Sequence, residues 1–592
     1  MLVRFPVRGS RGRAVIAFVG LSALLLAACG PAAEATATPR STSVAPTATR
    51  AAVATPSTPG AATPTAVPTL APTATVAAGT QPQHGGTLRV HLRADPASWD
   101  PGKTPGSARD VRKMHNAVFS QVANLQASAT SACSMAPEPD TAEKWSWVND
   151  TTLRVTLKKG VTFAKKAPVN GREMTADDLV FSANYWKKYS ERYAPLLTEF
   201  LGVEAVDRYS VDFKFKVPQP GFVNGVLTPH YGSVILAKES AGAKGDWTDP
   251  TEGSWIGSGP FMYKEYRPGA RVSFVRNPDY WKPGLPYVDG IDFLVIPDMS
   301  TRMAALTGGK LDIWTDELAE PLGLVLQGRP GMQVAPCPSP TGSLRIFPKN
   351  SKPPFNDVRV RRALSMAIDR DGMIQGPLNG KGMWMAFWTE VWPYRYTREQ
   401  VPAELMKYLT YNPTEAKKLL AEAGFPNGLA VTINATRQYG TPFNELIESV
   451  SAMAKPAGFD IKVNYQAYAL YQATSTVGKY DEDGVIAKPG HYDPYFELSQ
   501  LHTRAIPNPN RGFISDPTLD KLVDDFLSAT DQAKVKDVYQ TLERRVIDQA
   551  FLVTFPNNMW YSAAGPQVHG FFYNAYIHYY PASYGEKVWL SK

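Results

Sequence analysis

Residues 412–433 run Asn412-Pro413-Thr414-Glu415-Ala416-Lys417-Lys418-Leu419-Leu420-Ala421-Glu422-Ala423-Gly424-Phe425-Pro426-Asn427-Gly428-Leu429-Ala430-Val431-Thr432-Ile433. An Asn cap, Pro at the first helical position and Glu at the third open a helix, and Ala416, Leu419, Leu420 and Ala423 mark one face before Gly424 stops it. Leu429 to Ile433 then reads as a strand, so this stretch is one helix–strand unit. The same alternation appears elsewhere. Leu88, Val90 and Leu92 alternate with Arg89, His91 and Arg93, and Leu153, Val155 and Leu157 alternate with Arg154 and Thr156, which predicts half-buried strands. Ile291 to Ile296 is a nearly continuous apolar run, as expected of a more buried strand. Thr175-Ala176-Asp177-Asp178 caps a helix carrying Leu179, Val180, Ala183 and Trp186. Asn356 is expected to cap a helix from Asp357 to Asp369 with Val360, Ala363, Leu364, Ala367 and Ile368 inward. Strands and amphipathic helices alternate without an internal repeat, so the class is α/β.

At 592 residues the chain is too long for one core, since about 150 residues per domain implies roughly four packing units. With 44% hydrophobic and 20% charged residues it is globular rather than fibrous or disordered. Its charge of +8 is misleading: Arg4, Arg8, Arg11, Arg13, Arg40 and Arg50, less Glu34, account for five charges, leaving +3 on the body from residue 84 onward. That is no electrostatic footprint for nucleic acid, and no Lys/Arg run supplies one locally.

The basic segment Arg4–Arg13 followed by the apolar run Ala14–Ala28 is a secretion signal, too short to span a membrane. Leu26-Ala27-Ala28-Cys29 resembles a bacterial lipobox, which implies removal of residues 1–28 and a lipidated Cys29. Its acyl chains would hold the mature protein on the outer face of the cytoplasmic membrane. Residues 30–83 are nearly all Ala, Thr, Pro, Val and Ser and bury no core; they read as a tether reaching roughly 40 Å, or as a glycosylated stalk. Cys133 and Cys337 then face an oxidising compartment, either as a disulfide or as two separate buried thiols.

Enzyme patterns are missing. None of the eight histidines falls in H-E-x-x-H or pairs with cysteine at ligand spacing, so neither a metal nor a cofactor site is expected. There is no G-x-S-x-G elbow, Gly257-Ser258-Gly259-Pro260 having its glycines one residue too close, and no S-x-x-K. The acid pairs Asp177/Asp178 and Asp524/Asp525 lie on polar faces of predicted helices.

An ordered set of segments resembles the family 5 extracellular solute-binding proteins of ABC importers. The set comprises Gly85-Gly86-Thr87-Leu88-Arg89-Val90 with Asp95-Pro96 and Asp100-Pro101; Ala142-Glu143-Lys144-Trp145; Leu157–Phe163; Met174–Ser182; Gly257–Phe261; Arg276-Asn277-Pro278-Asp279-Tyr280-Trp281; Ala304–Ile313; and Pro354–Leu364 with Ala367-Ile368-Asp369-Arg370. The resemblance implies a two-lobe, type II-like periplasmic-binding-protein fold. Lobe one would be residues 84 to about 340, with an extra subdomain at about 130–205 and a carboxyl-terminal return over 556–592; lobe two would be about 341–555. It further implies a monomer that closes on a solute by hinge motion and hands it unchanged to the permease subunits of an ABC transporter. An exported hydrolase or surface sensor on this fold is the alternative class, which ligand turnover would separate.

In peptide-binding members an aspartate of lobe two, just ahead of an acidic residue and Pro, pairs with the peptide's amino terminus. The matching stretch is Gly490-His491-Tyr492-Asp493-Pro494, with Gly490 in the aspartate's place; His491, Tyr492 and Asp493 are either ligand contacts, Asp493 taking over the amine, or simply a turn before a helix. Trp384, Trp388 and Trp392 recur every four residues, as a core stripe or as a platform for sugar rings. The solute is therefore a peptide or an oligosaccharide. Arg437 and Tyr439, just after the strand from Leu429, are cleft-edge candidates.

Overall fold

The computed structural model describes residues 81–592 except 97, 104–108, 127–135, 190–198, 229–232, 243–245, 251–252, 319, 340–342, 388–391, 393, 442, 488–493, 506–509, 572–584 and 592. The signal segment, Cys29, Cys133, Trp388, His491, Tyr492 and Asp493 lie outside the described residues.

Three large sheets organise the chain. The first has seven strands in the order 333–338, 559–564, 313–318, 87–92, 290–295, 271–276, 261–267. Strand Thr87–Leu92 runs parallel to both Gly290–Val295 and Ile313–Leu318, with Leu88 opposite Ile291 and Val90 opposite Phe293. The alternation read from the sequence is realised: Leu88, Val90 and Leu92 are all buried in a core shared with Ile291 and Phe293. Helix Arg109–Val118 adds Val111, Met114, Ala117 and Val118 to this core. Two glycines let the chain pass its end: a Cβ at Gly257 would lie 2.0 Å from the Val118 carbonyl oxygen, and one at Gly259 2.6 Å from the Val118 carbonyl carbon.

The second sheet is antiparallel, in the order 142–149, 152–157, 210–215, 200–205. Leu153, Val155 and Leu157 face its core, which helix Ala176–Tyr189 covers through Leu179, Ala183 and Trp186. The helix start works as its sequence implies: Asp178 accepts the Thr175 N–H at 2.9 Å, and Arg172 clamps the same carboxylate at 2.6 and 2.8 Å. The third sheet runs 459–465, 429–435, 484–487, 345–348, 553–554, its first three strands mutually parallel. Helix Pro413–Glu422 packs Ala416 and Leu420 into the core beneath it, Asn412 accepting the Glu415 N–H at 3.0 Å. The helix after Pro354 corrects an expectation. Asp357, not Asn356, is its cap, accepting the Arg359 N–H at 2.8 Å, and the helix ends at Met366. A second helix, Arg370–Gln375, starts afresh with Asp369 as cap, because the carboxylate of Asp369 takes the Gly372 N–H at 2.8 Å and ends the first run.

The chain crosses between the first and third sheets twice, and the two crossings are tied together. Ser339 N–H donates to the Asn558 carbonyl at 3.0 Å, the Asn557 amide donates to the Ser339 carbonyl at 3.0 Å, and Met383 and Asn557 exchange backbone hydrogen bonds of 2.8 Å. Among the described residues no helix is long and apolar enough to cross a membrane.

Candidate ligand-binding cleft

In open α/β sheets a ligand sits beyond the carboxyl ends of parallel strands, where loops diverge and backbone groups are unspent. In the third sheet those ends are Ala435, Tyr465 and Ala487. The short turn Arg437–Tyr439 follows the first of them. Tyr439 and Tyr471 hydroxyls lie 3.0 Å apart, and Tyr471 donates onward to the Ile486 carbonyl at 2.7 Å. Tyr471 has one proton to give, so Tyr439 is the donor between the two rings. Arg437 lies over the Tyr465 ring, 3.9 Å from its centroid, and pairs with Glu448 at the exposed rim. Beyond Ala487 the chain passes through residues 488–493 and re-enters the described structure as helix Pro494–Ser499.

Arg345 stands opposite Ala487 in the ladder and is buried. Its guanidinium lies over the Phe387 ring at 5.5 Å, and burial pulls its pKa down to about 10, with the Glu497 carboxylate opposing that fall. Arg345, Phe347, Glu497, Gln500, Asn510 and Arg511 line a small pocket beside this strand end. Sequence reading missed Arg345, Tyr471 and Glu497. Arg345 left a signal: one cation inside the apolar run Leu344-Arg345-Ile346-Phe347, which a buried strand accepts only when charge is needed or compensated there.

On the opposing lobe, Leu92 and Val295 end the parallel pair. The aspartates that follow are engaged in shaping loops. Asp95 accepts the Tyr266 hydroxyl at 3.0 Å and the Gly269 N–H at 2.9 Å; buried Asp100 accepts the Tyr185 hydroxyl at 2.6 Å, the Gly102 N–H at 2.9 Å and the Trp247 N–H at 3.2 Å. Lys113, fully buried, pairs with Asp110 at 2.9 Å.

Trp384 and Trp392 do not share a face. Trp384 packs against the cluster of Tyr396, Leu405 and Ile547 beneath Arg398, whereas Trp392 sits among Tyr394, Tyr495, Phe526 and Tyr539 with ring centroids 5.3 to 6.4 Å away. The segment is not helical in its described part, so a spacing of four residues does not align the side chains. Cys337 is buried and disulfide-bonded; the other two cysteines lie outside the described residues. Among the described residues no group of three His, Cys, Asp or Glu side chains is placed to hold a metal ion.

Two sheets of different order, joined by paired crossings, divide the chain into two α/β lobes. The profile of the bacterial extracellular solute-binding proteins, family 5, matches residues 136–501. A di/tripeptide-binding protein of Pseudomonas aeruginosa is 26% identical over 532 residues, covering 85% of this chain and 95% of that protein. The structure of HbpA2 from Haemophilus parasuis shares the fold with a TM-score of 0.71 at 22% identity, covering 86% of this chain and 100% of that one. The ABC transporter-associated periplasmic binding protein DppA from Helicobacter pylori, in complex with the peptide STSA, does so with a TM-score of 0.65 at 22% identity, covering 86% and 99%. The chain belongs to the bacterial extracellular solute-binding proteins of family 5. It has the two-lobe fold of periplasmic binding proteins, and it binds a solute rather than transforming one.

Proposed function

We propose that this chain is the substrate-binding lipoprotein of an ABC importer, capturing an oligopeptide or dipeptide between its lobes and delivering it intact to membrane permease subunits. The observation that carries the peptide assignment is the likeness to a di/tripeptide-binding protein over 95% of that protein's length, because it spans both lobes rather than one shared motif. The lobes are residues 84–340 with 556–592, and 341–555; the sheet order supports this division, since strand Met559–Ala564 rejoins the first sheet after the third is built. Peptide contacts are assigned to lobe two: Asp493 takes the free amine in place of the family's aspartate, and His491, Tyr492, Tyr439 and Arg437 are the further contact residues. Trp384 and Trp392 are packed into separate apolar clusters, leaving Trp388 as the indole of the three that a sugar would need.

Cys29 carries the lipid that holds the monomer outside the cytoplasm. Cys133 pairs with Cys337, the reading supported by Cys337 being bonded while Cys29 is committed to the anchor. Non-reducing peptide mapping is expected to recover the 133–337 bridge, and Cys29→Ala is expected to abolish lipid labelling.

Native mass spectrometry of the full chain, with thermal shift against peptides and oligosaccharides, tests the ligand class. A retained or stabilising peptide, weakened by Asp493→Ala, is the expected result. Stabilisation by sugars alone, lost in Trp388→Ala, would transfer the assignment to carbohydrate.

A further inference from the structure

Away from the crossings, the two lobes meet at a glycine. Gly221 precedes Phe222, a buried ring in the core of the 142–215 sheet, stacked on Phe200 at 5.9 Å and edge-on to Phe215 at 4.7 Å. Across the cleft, Tyr495 of helix Pro494–Ser499 is stacked on Phe526 at 4.7 Å and edge-on to Trp392 at 6.4 Å. Each side is therefore positioned by its own aromatic core. A Cβ built on Gly221 would lie 2.6 Å from Cγ, 2.7 Å from Cδ2 and 2.8 Å from Cβ of Tyr495, far inside van der Waals contact. Because Phe222 and the Phe526–Trp392 pair fix both partners, neither yields without disturbing a packed core.

We propose that Gly221 and Tyr495 form the stop that ends lobe closure, and that the missing side chain at 221 sets how closely the lobes approach around the bound solute. Interactions that contact solute from both lobes exist only at this spacing, so residue 221 controls affinity without touching the ligand. The inference rests on the reading of the protein as a closing, two-lobe binder. Trp392 then serves to seat the Tyr495 ring rather than to stack on a ligand.

The test uses the full chain in two arms. In the first, small-angle scattering and calorimetry follow titration with an equimolar pool of di- to pentapeptides. Gly221→Leu is expected to retain the wild-type melting temperature, to lose the contraction on peptide addition and to bind about tenfold more weakly or worse, the scale of forcing a side chain into filled space. Adding Tyr495→Ala to Gly221→Leu is expected to restore contraction and affinity, which a merely local folding defect at 221 would not do. Normal closure in Gly221→Leu, or no rescue, overturns the proposal. The second arm needs no ligand: the Gly221→Cys, Tyr495→Cys double variant is oxidised with diamide and mapped for a 221–495 disulfide, a pairing within reach after a small separation of the two Cβ positions. Formation of the bridge supports the contact and its absence overturns it. A wild type that fails to contract with the peptide pool would instead count against the peptide reading, leaving the cross-link to decide the stop.

Discussion

The turn at Arg276–Lys282 and the strand ends at Ala435 and Ala487 are built on opposite rules. In the turn, polar atoms are committed to the protein itself. The Asn277 amide donates to the Gly259 carbonyl at 3.1 Å and accepts the Asp279 N–H at 3.2 Å; the Trp281 indole donates to the Ser258 carbonyl at 3.1 Å; and Tyr280 donates to Glu586 at 2.6 Å. Lys282 closes the group, donating to Asp140 at 2.8 Å and to Glu586 at 3.0 Å. At the strand ends of lobe two, by contrast, Arg437 and Glu448 pair at an exposed position, and the Tyr439 hydroxyl hydrogen-bonds that of Tyr471. Such a surface has little to lose from substitution as far as folding is concerned.

The largest loss of stability therefore comes from the turn. Burial would lower the Lys282 pKa, but the Asp140 and Glu586 carboxylates outweigh it and hold the ammonium well above its ordinary value. Lys282→Met strands two mostly buried carboxylates and should cost about 3 kcal/mol in urea unfolding, with peptide affinity unchanged. A loss below about 1 kcal/mol would show that the network is not what holds the turn.

The next effect is pH-dependent and lies on the buried face of helix Gln532–Gln549. Glu543 is buried, accepts the Tyr396 N–H at 2.9 Å and has Arg395 and Tyr539 as electrostatic neighbours. Burial pushes its pKa up to about 8, partly opposed by the Tyr396 N–H and Arg395. Between the unfolded carboxyl's pKa and about 8 the folded state holds the extra proton, so stability falls as pH rises and levels off above that value. Glu543→Gln should flatten this slope and raise stability by on the order of 2 kcal/mol at pH 9, with little change at pH 5. Thermal melts across that range check it, and parallel curves for the two proteins would refute it.

Tyr439→Phe removes one hydroxyl pair while Tyr471 keeps its bond to Ile486. The expected stability loss is about 1 kcal/mol, with a larger proportional fall in peptide affinity by calorimetry. Smallest of all is Arg437→Ala, whose exposed pair with Glu448 should contribute under about 0.5 kcal/mol to unfolding.

The same contrast explains which parts of the molecule were legible in the amino-acid sequence. The helix at Pro413 and the strand at Leu429 were readable because local rules, a cap, a proline and an apolar period, agree there with the tertiary structure. The cap before Val358 was misplaced by one residue because Asn356 and Asp357 are both capable caps, and only the backbone turn selects Asp357. The tryptophans failed as a stripe because periodicity specifies a face only if the chain is helical, and around Trp384 it is not. Arg345 and Glu497 line one pocket from two separate segments, and Tyr471 reaches the adjoining strand at the Ile486 carbonyl from a third, placements set by ladder pairing and helix packing that no local pattern encodes. Gly221 left no signal at all, since its role lies in what approaches it from the other lobe.

The most direct measurement is calorimetric titration of the full chain with the di- to pentapeptide pool, followed by mass spectrometry of the released ligand. One peptide per chain, recovered with its mass unchanged, is the predicted result. Shortened peptides, or no heat and no retained peptide from the whole pool, would contradict it.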